Sequence, residues 1–281
     1  MYESTENPGL VSLRSLVISS QKGGVGKTTV SLHLAHSLVN RGYNVLLVDS
    51  DPQGAIGLSL SKNLSEHIGF SDYVEQGYPL DQAMVQTRVD KFSILPFGNL
   101  PAFQTDHFNQ IMADGGQHAR LLQDAAALGF DLVVIDTPAG FGGVSVGAMR
   151  ASTHILSPIQ SEPLAFRSIA QMLEQVGALQ EQGYAVELVG FLITMLALRQ
   201  AESADVYHEA LESIPEHMMF DVNIPRDPVF LEATAAGVPV GLLRKPTPPV
   251  AHVFDLVAAE LEGRLGLVEV REFDGPTPLV D

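Results

Sequence analysis

Leu13-Arg-Ser-Leu-Val-Ile-Ser-Ser-Gln-Lys22-Gly-Gly-Val-Gly-Lys27-Thr-Thr29 decides the architecture of this 281-residue chain. Residues 13–19 form a short apolar run, read as a buried strand, that passes directly into a glycine-rich turn. From Lys27 the pattern becomes helical: Leu32, Ala35, Leu38 and Val39 share one face, and Gly42 marks the stop. Val45-Leu-Leu-Val48 is a second buried strand, ending in Asp49. The alternation continues with a strand at 92–95, a helix at 117–128 and a strand at 132–135 ending in Asp136. Beyond these come a strand at 154–157, a helix at 163–180, a strand at 186–195 and a last helix at about 249–261. Strands that are apolar throughout and separated by helices predict an α/β fold, its parallel sheet covered on both faces.

Composition narrows the function. With 46% hydrophobic residues the chain has material for a sizeable core. The absence of cysteine excludes disulfides, thiolate metal sites, cysteine nucleophiles and cysteine-ligated iron–sulfur clusters, and it suits a cytoplasmic protein. Lys and Arg number 16 against 33 Asp and Glu, so a nucleic acid meets net repulsion unless cations gather locally. The expected organisation is a flexible N-terminus over residues 1–12 without signal-peptide character, a single domain over 13–262, and an acidic, Pro- and Gly-containing tail over 263–281. Residues 63–89 are more polar and are expected to hold short helices and a mobile connection.

The turn has the composition of a phosphate-binding loop in the context such a loop requires, after a strand and at a helix start. Gly23, Gly24 and Gly26 let successive N–H groups converge on phosphate oxygens, with Val25 among them, and the helix start adds its positive dipole end. Lys27 is placed to bridge the β- and γ-phosphates, and the Thr28 hydroxyl, followed by Thr29, suits Mg²⁺. The strict pattern has glycine where Gln21 stands. A glycine-rich turn that binds nothing does not account for three glycines, two lysines and paired threonines at this junction. Lys22 is either a second ammonium beside a triphosphate or a solvated loop charge. Asp136 ends a strand on the same sheet edge and is placed to hold a water on Mg²⁺. In Asp49-Ser-Asp-Pro-Gln-Gly54 the two carboxylates alternate along an extended segment, so that one faces the metal and the other the attacking water. Strand-end acids also cap helices, which is the alternative use of both.

Lys22-Gly-Gly-Val-Gly-Lys-Thr-Thr29, Val48-Asp-Ser-Asp-Pro-Gln-Gly54 and Val134-Ile-Asp-Thr-Pro138 together resemble the ParA/MinD family of deviant Walker ATPases. Asn223-Ile-Pro-Arg-Asp-Pro228, Leu231-Glu-Ala233 and Gly237-Val-Pro-Val240 resemble its ParA branch, and the likeness spans about residues 13–261. It implies a doubly wound, mostly parallel P-loop fold that binds ATP and Mg²⁺ and closes into a face-to-face homodimer. In such a family Lys22 reaches the partner protomer's phosphates, Asp51 aligns the attacking water, and Asp49 lies beside it. Asp136 is the second-switch acid near the metal, and Pro225 and Arg226 pack on adenine. The resemblance further implies slow ATP hydrolysis, stimulated by an adaptor protein, that drives segregation or positioning of DNA or a protein cargo.

The chain departs from the family pattern at two places. Ala139 stands where a second proline is usual, and Val229 occupies a site where nucleoid-riding members carry arginine; Arg199, Arg244 and Lys245 are the local cations. Nonspecific DNA binding therefore stays an open partner class beside docking on a polar, secretion or motility complex without DNA. The acidic end from Glu260 to Asp281, broken by Gly and Pro, argues against a membrane-binding helix. Three rival patterns are present. Gly143-Val-Ser-Val-Gly147 spells a nucleophile elbow, with Asp205 and His252 as triad candidates, but a loop separates Ser145 from the preceding strand. His33 and His36 lie one helical turn apart without a third metal ligand of suitable spacing, and Phe97, Phe103 and Phe108 suit a core or dimer face better than base stacking.

Overall fold

The computed structural model describes residues 13–60, 67–162, 165–197 and 214–267. The expectations for the N-terminus, Arg199, Asp205 and the far tail lie outside them. Seven strands form one sheet: β1 (Arg14–Ile18), β2 (Val45–Asp49), β3 (Val85–Gln86), β4 (Phe92–Leu95), β5 (Leu132–Asp136), β6 (His154–Gln160) and β7 (Glu187–Thr194). Their order is β3-β4-β2-β5-β1-β6-β7, and only β3 runs antiparallel to its neighbour. The doubly wound, mostly parallel fold expected from the sequence is the one observed.

Alternation along each strand sends successive side chains to opposite faces, and both faces are covered, which is why the strands are apolar at every position. Leu16 and Ile18 of β1, with Leu47 of β2 and Val134 of β5, pack under α1 (Lys27–Asn40) and the C-terminal helix. Val17, Val48, Val133 and Ile135 face the opposite layer. The helices between are α2 (Ala55–Leu60), α3 (Phe70–Gln76), α4 (Leu80–Ala83), α5 (Thr105–Met112), α6 (Gly116–Ala127), α7 (Gly143–Ala151), α8 (Ala165–Glu181), α9 (Val229–Ala236) and α10 (Ala251–Arg264).

Differences from the sequence reading have local causes. The segment expected to hold short helices does contain α3 and α4, but it also forms β3, whose two residues extend the sheet edge beside β4. Strand β6 runs on to Gln160 through Pro158; β1 pairing ends at Leu156, so the missing N–H of Pro158 lies past the last β1 partner. Helix α10 continues to Arg264, whose guanidinium donates to the carbonyls of Val189, His217 and Met219. Among the described residues no helix is long and apolar enough to cross a membrane.

Helix α6 buries one titratable group without a partner. His118 is fully buried against Phe70, ring centroids 5.4 Å apart, and neither ring nitrogen has a hydrogen-bond partner. Burial pushes its pKa down to about 3. The unfolded chain takes up a proton at this histidine near pH 6.5 and the native state does not, so stability is lost as pH falls below about 6.5. We expect His118→Leu to gain about 1.4 kcal/mol relative to wild type on going from pH 7.5 to 5.5. Urea denaturation at the two pH values measures this; a constant difference between the proteins would mean that His118 does not titrate as a buried neutral ring.

Candidate active site

The sheet order puts β5 beside both β1 and β2, and register then aligns three strand ends. Ile18 pairs with Asp136 and Asp136 with Asp49, so the loop after β1 and both carboxylates meet at one edge. Short bonds secure the ends: Thr137 Oγ1 donates to the Ile18 carbonyl at 2.9 Å, and Ser50 Oγ to the Asp136 carbonyl at 2.6 Å. Gly140 N donates to the Ser20 carbonyl at 3.1 Å, and the Ala139 Cβ lies against Gly23. The segment after β5 thus rests directly on the loop after β1.

Within the loop, Gly24 has φ 76° and Gly26 φ 87°, left-handed values that a side chain would strain. Gly26 is the N-cap of α1, and no side chain caps the helix start. The first N–H groups of α1 are therefore left to a ligand, the physical basis of anion binding at helix starts. Thr194 Oγ1 donates to the Val25 carbonyl at 2.7 Å and holds the loop from the end of β7.

Lys27 is buried beneath this loop. Burial lowers its pKa, while the charges of Asp136 and Asp51 act the other way. Asp136 is fully buried: Thr28 Oγ1 donates to its Oδ2 at 2.7 Å and Ser31 Oγ to its Oδ1 at 2.9 Å. Burial nevertheless raises its pKa to about 6, against the pull of those hydroxyls and of Lys27. A hydroxyl and a carboxylate oxygen side by side next to a phosphate cradle are the hard oxygen donors that Mg²⁺ takes. Among the described residues no cluster of three His, Asp or Glu could hold a metal alone. Asp49 is also buried, and its pKa is raised by burial and then by the charge of Asp136. Its oxygens accept the backbone N–H groups of Asp51 at 3.2 Å and Ile56 at 3.0 Å, so it shapes the first switch and the start of α2. Asp51 is half-buried, with Oδ1 accepting Gln53 N at 2.9 Å.

Beside the loop lies a cavity of about 510 Å³ lined by Gly26, Thr29, Val30, Met195, Pro225, Arg226 and Phe230. Pro225 and Arg226 thus line the same cavity as Gly26 and Thr29 of the loop. Met195, Thr194, Ser31 and Phe230 escaped the sequence reading; only Met195, at φ 54°, has an unusual backbone, and none belongs to a spaced motif. Lys22 forms an ion pair with Glu162, another residue the sequence did not mark.

The rival patterns resolve structurally. Ser145 is buried in α7 and donates to the Pro138 carbonyl at 3.1 Å. A Cβ on Gly143 would lie 1.8 Å from the Asn109 carbonyl oxygen, and one on Gly147 1.8 Å from that of Met112. Those glycines permit the close crossing of α5 and α7, not a nucleophile. His33 Nδ1 donates to the Thr29 carbonyl at 2.7 Å, and the ring stacks on Phe254. Phe97 and Phe108 are core residues, and Phe103 is 84% exposed.

The sequence pattern of the AAA domain family, AAA_31, matches residues 13–188. The chain is 29% identical over 254 residues to the chromosome-partitioning ATPase Soj of Thermus thermophilus, covering 90% of this chain and 97% of that protein. It is 30% identical over 249 residues to the sporulation initiation inhibitor protein Soj of Bacillus subtilis, covering 88% and 97%. Among solved structures, the cell division ATPase MinD of Pyrococcus furiosus superposes with a TM-score of 0.70 at 25% identity, covering 89% of this chain and 98% of that one.

The raised pKa of Asp136 means that its ionised form costs stability above about pH 6 and costs nothing below about pH 4. Asp136→Asn keeps the shape and removes the charge. At pH 8 we expect the nucleotide-free variant to melt a few degrees higher than wild type, for a gain of about 1–2 kcal/mol. It should lose the further rise in Tm that ATP with Mg²⁺ gives wild type. A lower Tm with an intact nucleotide response would make this carboxylate purely structural.

Proposed function

Because this chain belongs to the ParA/MinD family of P-loop ATPases, we propose that it is a positioning ATPase that cycles between an ATP-bound homodimer and a monomer. The observation that carries this reading is the convergence of Lys27, Thr28 and Asp136 at one sheet edge, under an uncapped helix start and beside a cavity roomy enough for a nucleoside. The loop N–H groups and Lys27 bind the β- and γ-phosphates, and the walls of Thr29, Pro225 and Arg226 take the adenine. Thr28 and Asp136, with Asp49 behind them, hold Mg²⁺, which when bound neutralises charge on the transferring phosphoryl group.

Asp51 orients the attacking water through the carboxylate oxygen not engaged by Gln53. Lys22 of each protomer reaches the phosphates of the other. Such a site stabilises charge without a strong general base, so hydrolysis is slow until an adaptor protein completes it. ATP then acts as a timer for an assembly that segregates or positions DNA or a protein cargo. Chromosome partitioning, named for the Thermus relative, is the use that similarity favours.

A second reading, docking on a protein complex without DNA, draws on the charge. The chain carries a net −17, Val229 opens α9, and Arg244 is ion-paired with Glu232. Backbone binding to DNA takes several phosphate contacts and weakens steeply with salt.

The experiment uses Asp51→Ala, expected to accumulate as an ATP dimer by light scattering, with Lys22→Gln expected to bind ATP and stay monomeric. The trapped dimer is titrated with random duplex DNA, with ATP or ADP, across a salt series. ATP-dependent binding that falls several-fold between 50 and 200 mM salt, a span of concentrations chosen as in ordinary counterion-release measurements, supports a nucleoid track. No binding at low salt by a proven dimer supports the protein track. A chain that stays monomeric with ATP and does not hydrolyse it overturns both.

A further inference from the structure

The two lysines of the phosphate loop have opposite fates. Lys27 is buried and directed at Asp136 and Asp51, whereas Lys22 is about one-third exposed and is held by the Glu162 carboxylate through a hydrogen-bonded ion pair. The partners are 140 positions apart in sequence. They meet because β1 and β6 are neighbours, so the turn after β6 stands beside the loop after β1. That turn is fastened on both sides of Glu162: its N–H donates to the Gln160 carbonyl at 2.8 Å, and its carbonyl accepts from Ala165 N at 2.9 Å. The carboxylate thus stands on hydrogen-bonded backbone beside the loop, while the Lys22 amine ends a flexible four-carbon stem that leaves a glycine-flanked loop.

Resting on the proposed ATP dimer, we infer that Glu162 is a positioning residue that stows Lys22 in the free protomer and sets the threshold for closure. A lysine amine bound to Glu162 is withheld from the partner's phosphates. Closure must exchange that carboxylate for the more highly charged triphosphate terminus, and ADP, one phosphate shorter, offers less in return. Glu162 therefore biases the loop against closing on ADP or on an empty partner. It touches neither the base cavity nor the Mg²⁺ donors, so its effect passes through Lys22 alone.

The size of the effect follows from exposure. The Glu162 side chain is 42% exposed, and ion pairs of this kind are worth little singly. A symmetric dimer breaks two of them, so releasing both should strengthen dimerisation by roughly 2- to 30-fold, and screening by salt should shrink the gain.

The test compares wild type with Glu162→Gln, which keeps the shape and removes the charge, in two measurements. In the nucleotide-free protein, the rate at which an acylating reagent modifies Lys22 is read by mass spectrometry against the exposed Lys245 in the same molecule. We expect Lys22 to react several-fold faster in the variant, because an amine donating to a carboxylate is a poorer nucleophile; an unchanged rate overturns the stowed contact whether or not the protein dimerises. In the second measurement, sedimentation with ATP and with ADP at low and high salt should show the variant dimerising at lower protein concentration, with the ATP-over-ADP preference reduced and the gain fading as salt rises. Equal or weaker dimerisation by the variant overturns the threshold role. Failure of the wild type itself to dimerise would overturn the proposed function and the threshold together, while the acylation rates still decide the contact. Unchanged Tm and unchanged ATP affinity of the isolated variant protomer separate this role from simple support of the loop.

Discussion

The fully buried carboxylate of Asp136 is the constraint on which the rest of this structure depends. It ends a central strand, in register with Ile18 on one side and Asp49 on the other, where burial alone drives a carboxyl toward its neutral form. Two hydroxyls, Thr28 and Ser31, and the ammonium of Lys27 hold it, and all three belong to α1. The position of α1 over the sheet is thereby tied to the position of the acid. A positive charge added at this edge would favour the ionised carboxylate and offset part of the same burial cost, which supports the proposed cation there.

The loop before α1 completes that logic with the opposite sign. Left-handed backbone at Gly24 and Gly26 turns N–H groups toward the space above Lys27, and the uncapped helix start adds its dipole. In the proposed function a phosphate chain would satisfy both halves, its anionic oxygens held by the loop and its metal by Thr28 and Asp136. The switches are coupled to it by contact: Gly140 bonds to Ser20, and Asp49 fastens the backbone of Asp51 and Ile56. In the proposed ATP cycle these contacts would carry a change at the phosphates to both segments and so to the surface of the protein.

The sheet was legible in the sequence because parallel strands buried on both faces leave uninterrupted apolar runs such as Leu46-Leu47-Val48 and Leu132-Val-Val-Ile135. The phosphate loop was legible because its chemistry compresses into eight consecutive residues. What stayed hidden are groups delivered singly by the tertiary fold: Thr194, which reaches the loop from 169 residues away, Met195 and Phe230 at the cavity wall, and Glu162, which pairs with Lys22. One spelling misled in an instructive way. Gly143 and Gly147 are glycine because carbonyls of α5 lie where their Cβ atoms would be, a packing requirement that spells a catalytic motif by coincidence. The two-residue β3 was missed because two residues carry no periodicity.

Charge sets the remaining balance. Two copies of a chain with a net −17 repel at long range, and each bound triphosphate adds to the repulsion. Closure in the proposed dimer can be favourable only if cations are concentrated at the meeting faces, and the loop supplies Lys22 and Lys27 there. Lys27 is committed inward by burial, which leaves Lys22 as the mobile one. A carboxylate that engages Lys22 in the resting protomer removes the loop's mobile positive charge from the closing face until a stronger anion competes for it. In the proposed dimer an ion pair this exposed shifts closure only modestly, and salt that screens the pair also screens the long-range repulsion between the two acidic protomers.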